Sequence, residues 1–197
     1  VTFVALTYLL EAGALGEQKS KAAQLGIKRL MEIGIMPHLI ACRASRPIGD
    51  KVRQKISMYT NVPMKRVFSM HDVESIYLVP EMLREAGMDR EVLTILGLHD
   101  RVNQRSEDMA RRKWVRFVDD LLAPKAHEVT IGVAGKYTSI RDAYASIDKA
   151  LEHCSAHTHC RINVEWIDTT DVTPRNVAER LKHCHGLVVP GGFWNRG

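Results

Sequence analysis

The 197-residue sequence predicts an α/β protein in which helices cover a mostly parallel sheet. Three observations support this class: short apolar runs of strand length, amphipathic helical patterns between them, and glycine or proline where runs end. Strands that alternate with helices are typical of parallel sheets, because each crossover helix returns the chain to the same end of the sheet. The apolar share of 45% is ordinary for a globular protein and sufficient for a core.

The first half of the sequence alternates strand and helix repeatedly. A strand is expected within residues 1–10, and then a helix that starts near Ala22, with an apolar face marked by Leu25, Leu30, Ile33 and Ile35 and a stop at Gly34 and Pro37. Next come a strand over 38–42, a helix with Val52, Ile56 and Tyr59 on one face, a strand over 66–70, and helices over 76–86 and 91–96.

A polar, charge-dense stretch over residues 99–113 interrupts this alternation and predicts a connection between domains. An amphipathic segment around Trp114, Phe117 and Leu121 follows and stops at Pro124. A second α/β run is then expected: a strand over 129–133, a turn over 134–137, a helix over 140–153, a strand over 161–167, a helix over 174–184, and a strand over 187–189 that ends in a glycine turn.

Composition narrows the classes of function. The formal charge is +5, but the basic residues are dispersed and aromatic residues make up only 6%, so no basic and aromatic platform for nucleic acid is expected. A small anionic ligand fits that distribution better. The opening apolar run is too short to span a bilayer and no basic flank precedes it, so a buried strand in a cytoplasmic protein is expected, with no membrane partner.

The four cysteines show no C-x-x-C spacing, and reduced thiols are the default for a chain of this size. Three of them lie with histidines in a region over residues 153–185. A zinc site there is one interpretation and solvated turns are the commoner one, because the spacings fit no common zinc module. The sequence leaves the choice open.

The segment Gly16-Glu17-Gln18-Lys19-Ser20-Lys21 is the most distinctive candidate for a binding site. Two ammonium groups beside a hydroxyl and a helix N-terminus form a receptor suited to a polyphosphate. A solvated surface loop is the ordinary alternative for a Lys-x-Lys turn.

Five blocks occur in order along the chain: Gly16-Glu17-Gln18-Lys19-Ser20-Lys21 with Gln24; Gly34-Ile35-Met36-Pro37 leading into Cys42-Arg43-Ala44-Ser45-Arg46-Pro47-Ile48; Asp72-Val73-Glu74-Ser75-Ile76-Tyr77; Gly132-Val133-Ala134-Gly135-Lys136-Tyr137 with Asp142-Ala143-Tyr144; and Val189-Pro190-Gly191-Gly192-Phe193. Together they resemble CTP synthase, the glutamine-hydrolysing ligase that aminates UTP with ATP. The resemblance implies a partial synthetase domain with a P-loop-like, mostly parallel sheet, followed by the first strands of a flavodoxin-like glutamine amidotransferase domain. The implied ranges are 1–98 for the synthetase part, 99–126 for the linker and 127–197 for the amidotransferase part.

The resemblance also implies site residues. Those for UTP and the product CTP are Lys19, Ser20, Lys21, Ala22, Ala23, Gln24 and Lys55. Those for ATP are Arg43, His71, Asp72 and Val73. Apart from the resemblance, the ordinary expectation for Asp72 is an N-cap of the helical segment over 74–77, and the two roles are compatible. The family has Pro and Thr where this chain has Ala22 and Ala23, so altered pyrimidine-nucleotide binding is expected.

In the family, the final glycine turn provides the oxyanion and glutamine-binding backbone, which implicates Gly191 and Gly192. Trp194 stands where the family has Gly, and Ala14-Leu15 resembles an insertion. The block Gly135-Lys136-Tyr137 is not a phosphate-binding P-loop, because it lacks the G-x-x-x-x-G-K-[ST] spacing.

The implied reaction uses UTP, ATP and glutamine, with Mg²⁺ ligands expected upstream, GTP as an activator and a homotetramer as the assembly. Because position 1 is not Met and the second domain is only begun, the chain is expected to be an internal piece that is inactive alone. Two alternatives remain open: a degenerate, non-catalytic nucleotide-binding or subunit-interaction module, and a different ATP-dependent amide ligase.

Overall fold

The computed structural model describes residues 1–12, 17–138 and 141–191. These residues form a mixed α/β structure with parallel sheets and helices, which confirms the predicted fold class. The chain divides into two units, Val1–Gln104 and Arg105–Gly197. The domain limits predicted from the resemblance stay predictions.

The strands of the first unit are β1 (Val4–Tyr8), β2 (Leu10–Ala12), β3 (Glu17–Lys19), β4 (Leu39–Ala44) and β5 (Val67–His71). Its helices are α1 (Lys21–Glu32), α2 (Asp50–Thr60), α3 (Val79–Glu85) and α4 (Met88–Leu96), with single 3₁₀ turns at Met64–Arg66, Ile76–Leu78 and His99–Arg101.

A parallel sheet in the order β1-β4-β5 organises the first unit, and β2 and β3 form a separate antiparallel hairpin. The central strand β4 is apolar at nearly every position because both of its faces are covered. Ile40 and Cys42 point into a core that Ala23 and Ile27 of α1 and Ile56 of α2 complete. The parallel strands bring their carboxyl ends to one edge, where ligands bind in open α/β sheets.

Helix α1 buries a different face from the one the sequence predicts. Ala23 and Ile27 are each 1% exposed, whereas Leu25 is 58% and Ile33 is 72% exposed. The prediction followed the largest apolar side chains, but the face that fits against the sheet carries a small alanine, and the side chains of Leu30 and Met31 complete the contact. The predicted stop is confirmed, since Gly34 has the positive φ of 85° that ends the helix.

Helix α2 buries Ile56, as its apolar stripe indicates, but Tyr59 is 70% exposed. The phenol ring therefore lies outside the face that packs on the sheet. The helix ends at Thr60, and the C-cap residue Asn61 adopts the left-handed conformation that asparagine tolerates better than most residues.

The second unit contains the helices α5 (Gln104–Leu122), α6 (Ala145–Thr158) and α7 (Val177–Leu181) and the strands β6 (His127–Gly135), β7 (Cys160–Asp168) and β8 (Gly186–Val188). Its 3₁₀ turns are Arg141–Tyr144 and Thr169–Asp171. The sheet has the parallel order β7-β6-β8, so β6 is its centre.

The charge-dense residues 99–113, predicted as a connection between domains, lie mostly in helix α5. One continuous helix begins at Gln104 and runs through the charged segment. The first half of this helix is largely exposed, so its sequence carries no apolar period, although its residues are good helix formers. Phe117 lies in the second half and packs edge-on against His153 of α6, with ring centroids 5.1 Å apart.

Of two predicted helices of the second unit, one is shorter than its sequence pattern suggests and the other lies further along the chain. The segment 174–184 is α-helical only over α7, because Asn176 ends a preceding turn by accepting from the Thr173 amide and donating to the Asp171 carbonyl oxygen. The helix predicted over 140–153 begins at Ala145 after a 3₁₀ turn and continues to Thr158.

Gly135 connects two sequence blocks of the second unit, residues 132–137 and 142–144, by a close contact. A Cβ at this position would lie 2.3 Å from the hydroxyl oxygen of Tyr144. The Tyr144 ring stacks on Trp166 of β7, with centroids 5.6 Å apart. Glycine at the end of β6 therefore makes room for the aromatic side chain that precedes α6. No helix within the described residues is long and apolar enough to cross a bilayer.

Candidate functional site

An open cavity of about 380 Å³ lies in the first unit beside the loop that joins β4 to α2, residues 45–49. It lies where a parallel strand ends and a helix begins, which is the usual place for a ligand in this class of fold. The described residues that line it are Glu17, Gln18, Arg46, Pro47, Gly49, Lys51, Val52 and Lys55.

The Gln18 amide holds the 45–49 loop against the β2–β3 hairpin. Its nitrogen donates to the carbonyl oxygens of Arg46 at 3.2 Å and Pro47 at 3.1 Å. Its oxygen accepts from the Gly49 amide at 3.3 Å, directly at the start of α2. One side chain therefore fixes the loop that carries Arg46 and the position of the helix N-terminus.

Cations dominate the charge around the cavity. Lys51 and Lys55 lie one turn apart on α2, and Arg46 approaches from the loop. Arg46 Nε donates to Glu11 Oε1 at 3.1 Å, so part of its charge is compensated. Cations that converge beside a helix N-terminus attract phosphate oxygens.

Glu17 is the acidic member of the lining, and it pairs with Lys19. The hydrogen bond and the charge of Lys19 hold the pKa of Glu17 below its usual value, and the charges of Lys55 and Lys51 lower that pKa further. Lys19 thus belongs to the same electrostatic cluster as the two lysines of α2, although it is not among the described lining residues.

The other residues implied for UTP and CTP are distributed unevenly. Gln24 Nε2 donates to Ser20 Oγ at 2.9 Å, so the hydroxyl and the amide bond each other at the start of α1. Lys21 and Ala22 are exposed on the first turn. Ala23 packs in the core, and its side chain is therefore directed away from any ligand on the surface. Of this set, the cavity lining includes Lys55 alone among the described residues.

The residues implied for ATP meet at the carboxyl ends of β4 and β5. Arg43 and Asp72 form an ion pair across the two strands, and the Asp72 amide donates to the Ala44 carbonyl oxygen at 3.1 Å. His71 Nδ1 lies 3.0 Å from the hydroxyl of Ser69, which accepts from the Ile48 amide. The residues implied for ATP therefore contact the 45–49 loop, which also borders the cavity. Val73 directly follows Asp72 in the sequence.

The expectation that Asp72 caps the following helical turn is wrong. Ser75 is the N-cap of the turn Ile76–Leu78, and its hydroxyl accepts from the Tyr77 amide at 3.3 Å. Asp72 is engaged by Arg43 instead.

Sequence reasoning missed Gln18 and Lys51. A signal for Lys51 was present, because it lies four residues before Lys55 on a predicted helix that follows a predicted strand. The role of Gln18 depends on a hairpin that brings it to a loop 28 residues away in the sequence. No local sequence pattern predicts that contact.

In the second unit, Gly191 is exposed, and a Cβ there would meet no atom within 4 Å. Its φ is not in the left-handed region, so neither crowding nor backbone conformation requires glycine at this position. Gly192 and Trp194, like Gly16 and the Ala14-Leu15 insertion, lie outside the described residues. The oxyanion interpretation of the glycine turn therefore stays a prediction.

The cysteine and histidine residues of the region 153–185 do not gather around one point. The described part of the chain holds no group of three or more His, Cys, Asp or Glu side chains placed to hold a metal ion. His153 and His157 pack against the Phe117 ring, and Cys184 lies 3.6 Å from a carboxylate oxygen of Glu165. Burial, with the nearby Glu165 carboxylate, raises the pKa of Cys184.

Comparison with protein families gives a match for the first unit. Residues 1–98 match the CTP synthase N-terminus. The matched range contains the cavity, the β2–β3 hairpin and the Arg43–Asp72 pair. It supports a role related to CTP synthase, which is a ligase of pyrimidine biosynthesis, for the part of the chain that it covers.

Proposed function

We propose that this chain is part of a CTP synthase, which converts UTP to CTP with ATP and with ammonia from glutamine. The observation that carries the proposal is the match of residues 1–98 to the CTP synthase N-terminus. The cavity adds a physical reason, because its lysines and arginine suit the triphosphate of a nucleotide.

In this proposal, the cavity beside the 45–49 loop receives the triphosphate of UTP or CTP. Lys51, Lys55 and Lys19 neutralise phosphate oxygens, and Gln18 keeps the loop and the α2 N-terminus in place. Lys21 and the exposed edge of the first α1 turn face solvent, where a second copy of the chain in the proposed tetramer could supply the remaining contacts.

ATP is assigned to the edge formed by Arg43, His71, Asp72 and Val73. Arg43 offers a planar, permanently charged group for a phosphate once Asp72 is displaced or shared. Bound Mg²⁺ supplies charge neutralisation in this family, but the described residues offer it no cluster of protein ligands.

The second unit is proposed to be the beginning of the glutamine amidotransferase part. In its strand order β7-β6-β8, the chain passes from β6 to β7 on one side and then returns to β8 on the other side of β6, so the direction of the connections reverses at β6. Ligands bind at such switch points, and the turn that includes Gly191 follows β8. GTP as an activator and a cytoplasmic location belong to the same proposal.

The nucleotide proposal is tested by titrating the purified chain with UTP in a calorimeter. The K51A/K55A double variant is expected to bind UTP at least tenfold more weakly than the unchanged chain, since it loses two phosphate partners. Both side chains are exposed, so the fold is expected to survive the change.

K28A is the matched control, because Lys28 is an exposed lysine on α1 outside the cavity lining. It is expected to bind UTP as the unchanged chain does. UTP binding that is undetectable, or equal in the double variant and the unchanged chain, would remove the cavity from the proposal.

A further inference from the structure

Glu17 places a negative charge among the cations of the cavity. It lines the cavity with Lys51 and Lys55, and it forms an ion pair with Lys19. A ligand site for phosphate has no need of a carboxylate, since the carboxylate repels the ligand and occupies the same cations. The position of Glu17 therefore calls for an explanation beyond the binding of UTP.

The two carboxylates near the cavity differ in how firmly they are held. The Glu11 side chain is 23% exposed, and Glu11 accepts from both Arg46 and Gln18. Glu17 is 62% exposed, and its partner Lys19 is 51% exposed. An ion pair between exposed groups is weak, because water competes for both charges. The Glu17–Lys19 ion pair can therefore break when a more highly charged ligand binds Lys19, whereas Glu11 keeps Arg46 and Gln18 in place.

We infer that Glu17 is an internal competitor for the phosphate-binding lysines, which lowers the affinity of this cavity for polyphosphate anions. The inference rests on the proposed function only in that the cavity binds a polyphosphate. An incoming triphosphate takes Lys19 from Glu17, and the released carboxylate turns to solvent. Each binding event must break the Glu17–Lys19 pair, so a higher concentration of the ligand is needed to fill the site.

The test compares the full chain with E17Q, using inorganic tripolyphosphate as the probe at low ionic strength. E17Q is expected to bind tripolyphosphate roughly three- to tenfold more tightly, because one repulsive charge and one competing ion pair are removed. The gain is expected to shrink at high salt, since these groups are exposed. E17D keeps the charge and is expected to bind as the unchanged chain does.

E32Q is the control for net charge. Glu32 forms an exposed pair with Arg29 at the far end of α1, about 16 Å along the helix from Lys21. Equal affinities for E17Q and E32Q, weaker binding by E17Q, or no tripolyphosphate binding by any variant would overturn the inference.

A UTP titration of the same proteins separates this inference from the proposed function. If E17Q gains affinity for tripolyphosphate but UTP binds no better than tripolyphosphate, the internal competitor stands and the assignment to UTP fails. If UTP binds tightly and E17Q gains nothing, the assignment stands and the internal competitor is wrong.

Discussion

Single residues show how the same side-chain chemistry is changed by burial. Cys42 lies on the central strand β4 with no exposed surface, and burial raises the pKa of its thiol to about 12. Cys154 is exposed on α6. Because the thiolate is the reactive form, these two cysteines differ in reactivity although the sequence treats them alike.

We expect iodoacetamide at pH 8 to alkylate Cys154 and to leave Cys42 unmodified in the folded chain. Because burial raises the pKa of the Cys42 thiol far above that pH, the thiol stays protonated, and the core excludes the reagent. Mass spectrometry of tryptic peptides measures both sites, and unfolding in guanidinium before labelling is the control in which both react. Equal labelling of the two cysteines in the folded chain would contradict the assignment of Cys42 to the core.

Residue-scale signals predicted some members of the site and missed others. Lys55 could be identified from a motif, and it lines the cavity. Ala23 came from the same kind of motif, but its methyl group is required by the core. A motif identifies a candidate residue by its position in the sequence. The direction of its side chain depends on which helix face packs on the sheet.

Secondary-structure elements were predicted well where one face is buried and poorly where it is not. Strand β4 follows from a nearly continuous apolar run, because a buried parallel strand needs apolar side chains on both faces, whereas β5 at the edge of the sheet buries only Val67 and Phe68. Helix α5 was recognised only around Trp114 and Phe117, since its first half presents charged residues all around. An apolar period in the sequence marks the buried face of a helix, so a helix exposed on all sides is hard to predict from that period.

The corrected face of α1 gives a prediction at this scale. I27A is expected to lower the free energy of unfolding by about 2–4 kcal/mol, because it leaves a cavity against the sheet. I33A is the matched control and is expected to change that free energy by less than about 0.5 kcal/mol, since Ile33 is exposed. Urea unfolding followed by circular dichroism measures both, and a larger loss for I33A than for I27A would restore the face predicted from the sequence.

The whole molecule combines a family-matched first unit with a second unit whose assignment is proposed. The 197 residues contain neither a G-x-x-x-x-G-K-[ST] phosphate loop nor a Gly-x-Cys-x-Gly nucleophile turn. In the proposed function, a phosphate loop of this kind holds ATP and a cysteine at such a turn attacks glutamine. Binding of a nucleotide by this chain is therefore to be tested separately from formation of CTP.

We expect the purified chain to form no CTP from UTP and ATP, with either glutamine or ammonium as the nitrogen source. Chromatography of the nucleotides measures the product, and CTP added at a known trace amount sets the detection limit. CTP formed from ammonium would mean that these residues hold a complete synthetase site. Release of glutamate from glutamine would mean that one of the four cysteines present is a nucleophile.

The sequence by itself determined the α/β class, the order of most strands and helices, and the resemblance to CTP synthase that the match over residues 1–98 supports. These depend on local patterns of burial and on short blocks that can be compared directly. The tertiary structure alone decided which face of α1 is buried, that Gln18 holds the 45–49 loop, and that Glu17 lies among three lysines. Contacts between residues far apart in the chain arise only when the hairpin, the sheet and α2 pack together, because no local pattern encodes where a side chain from one element meets another.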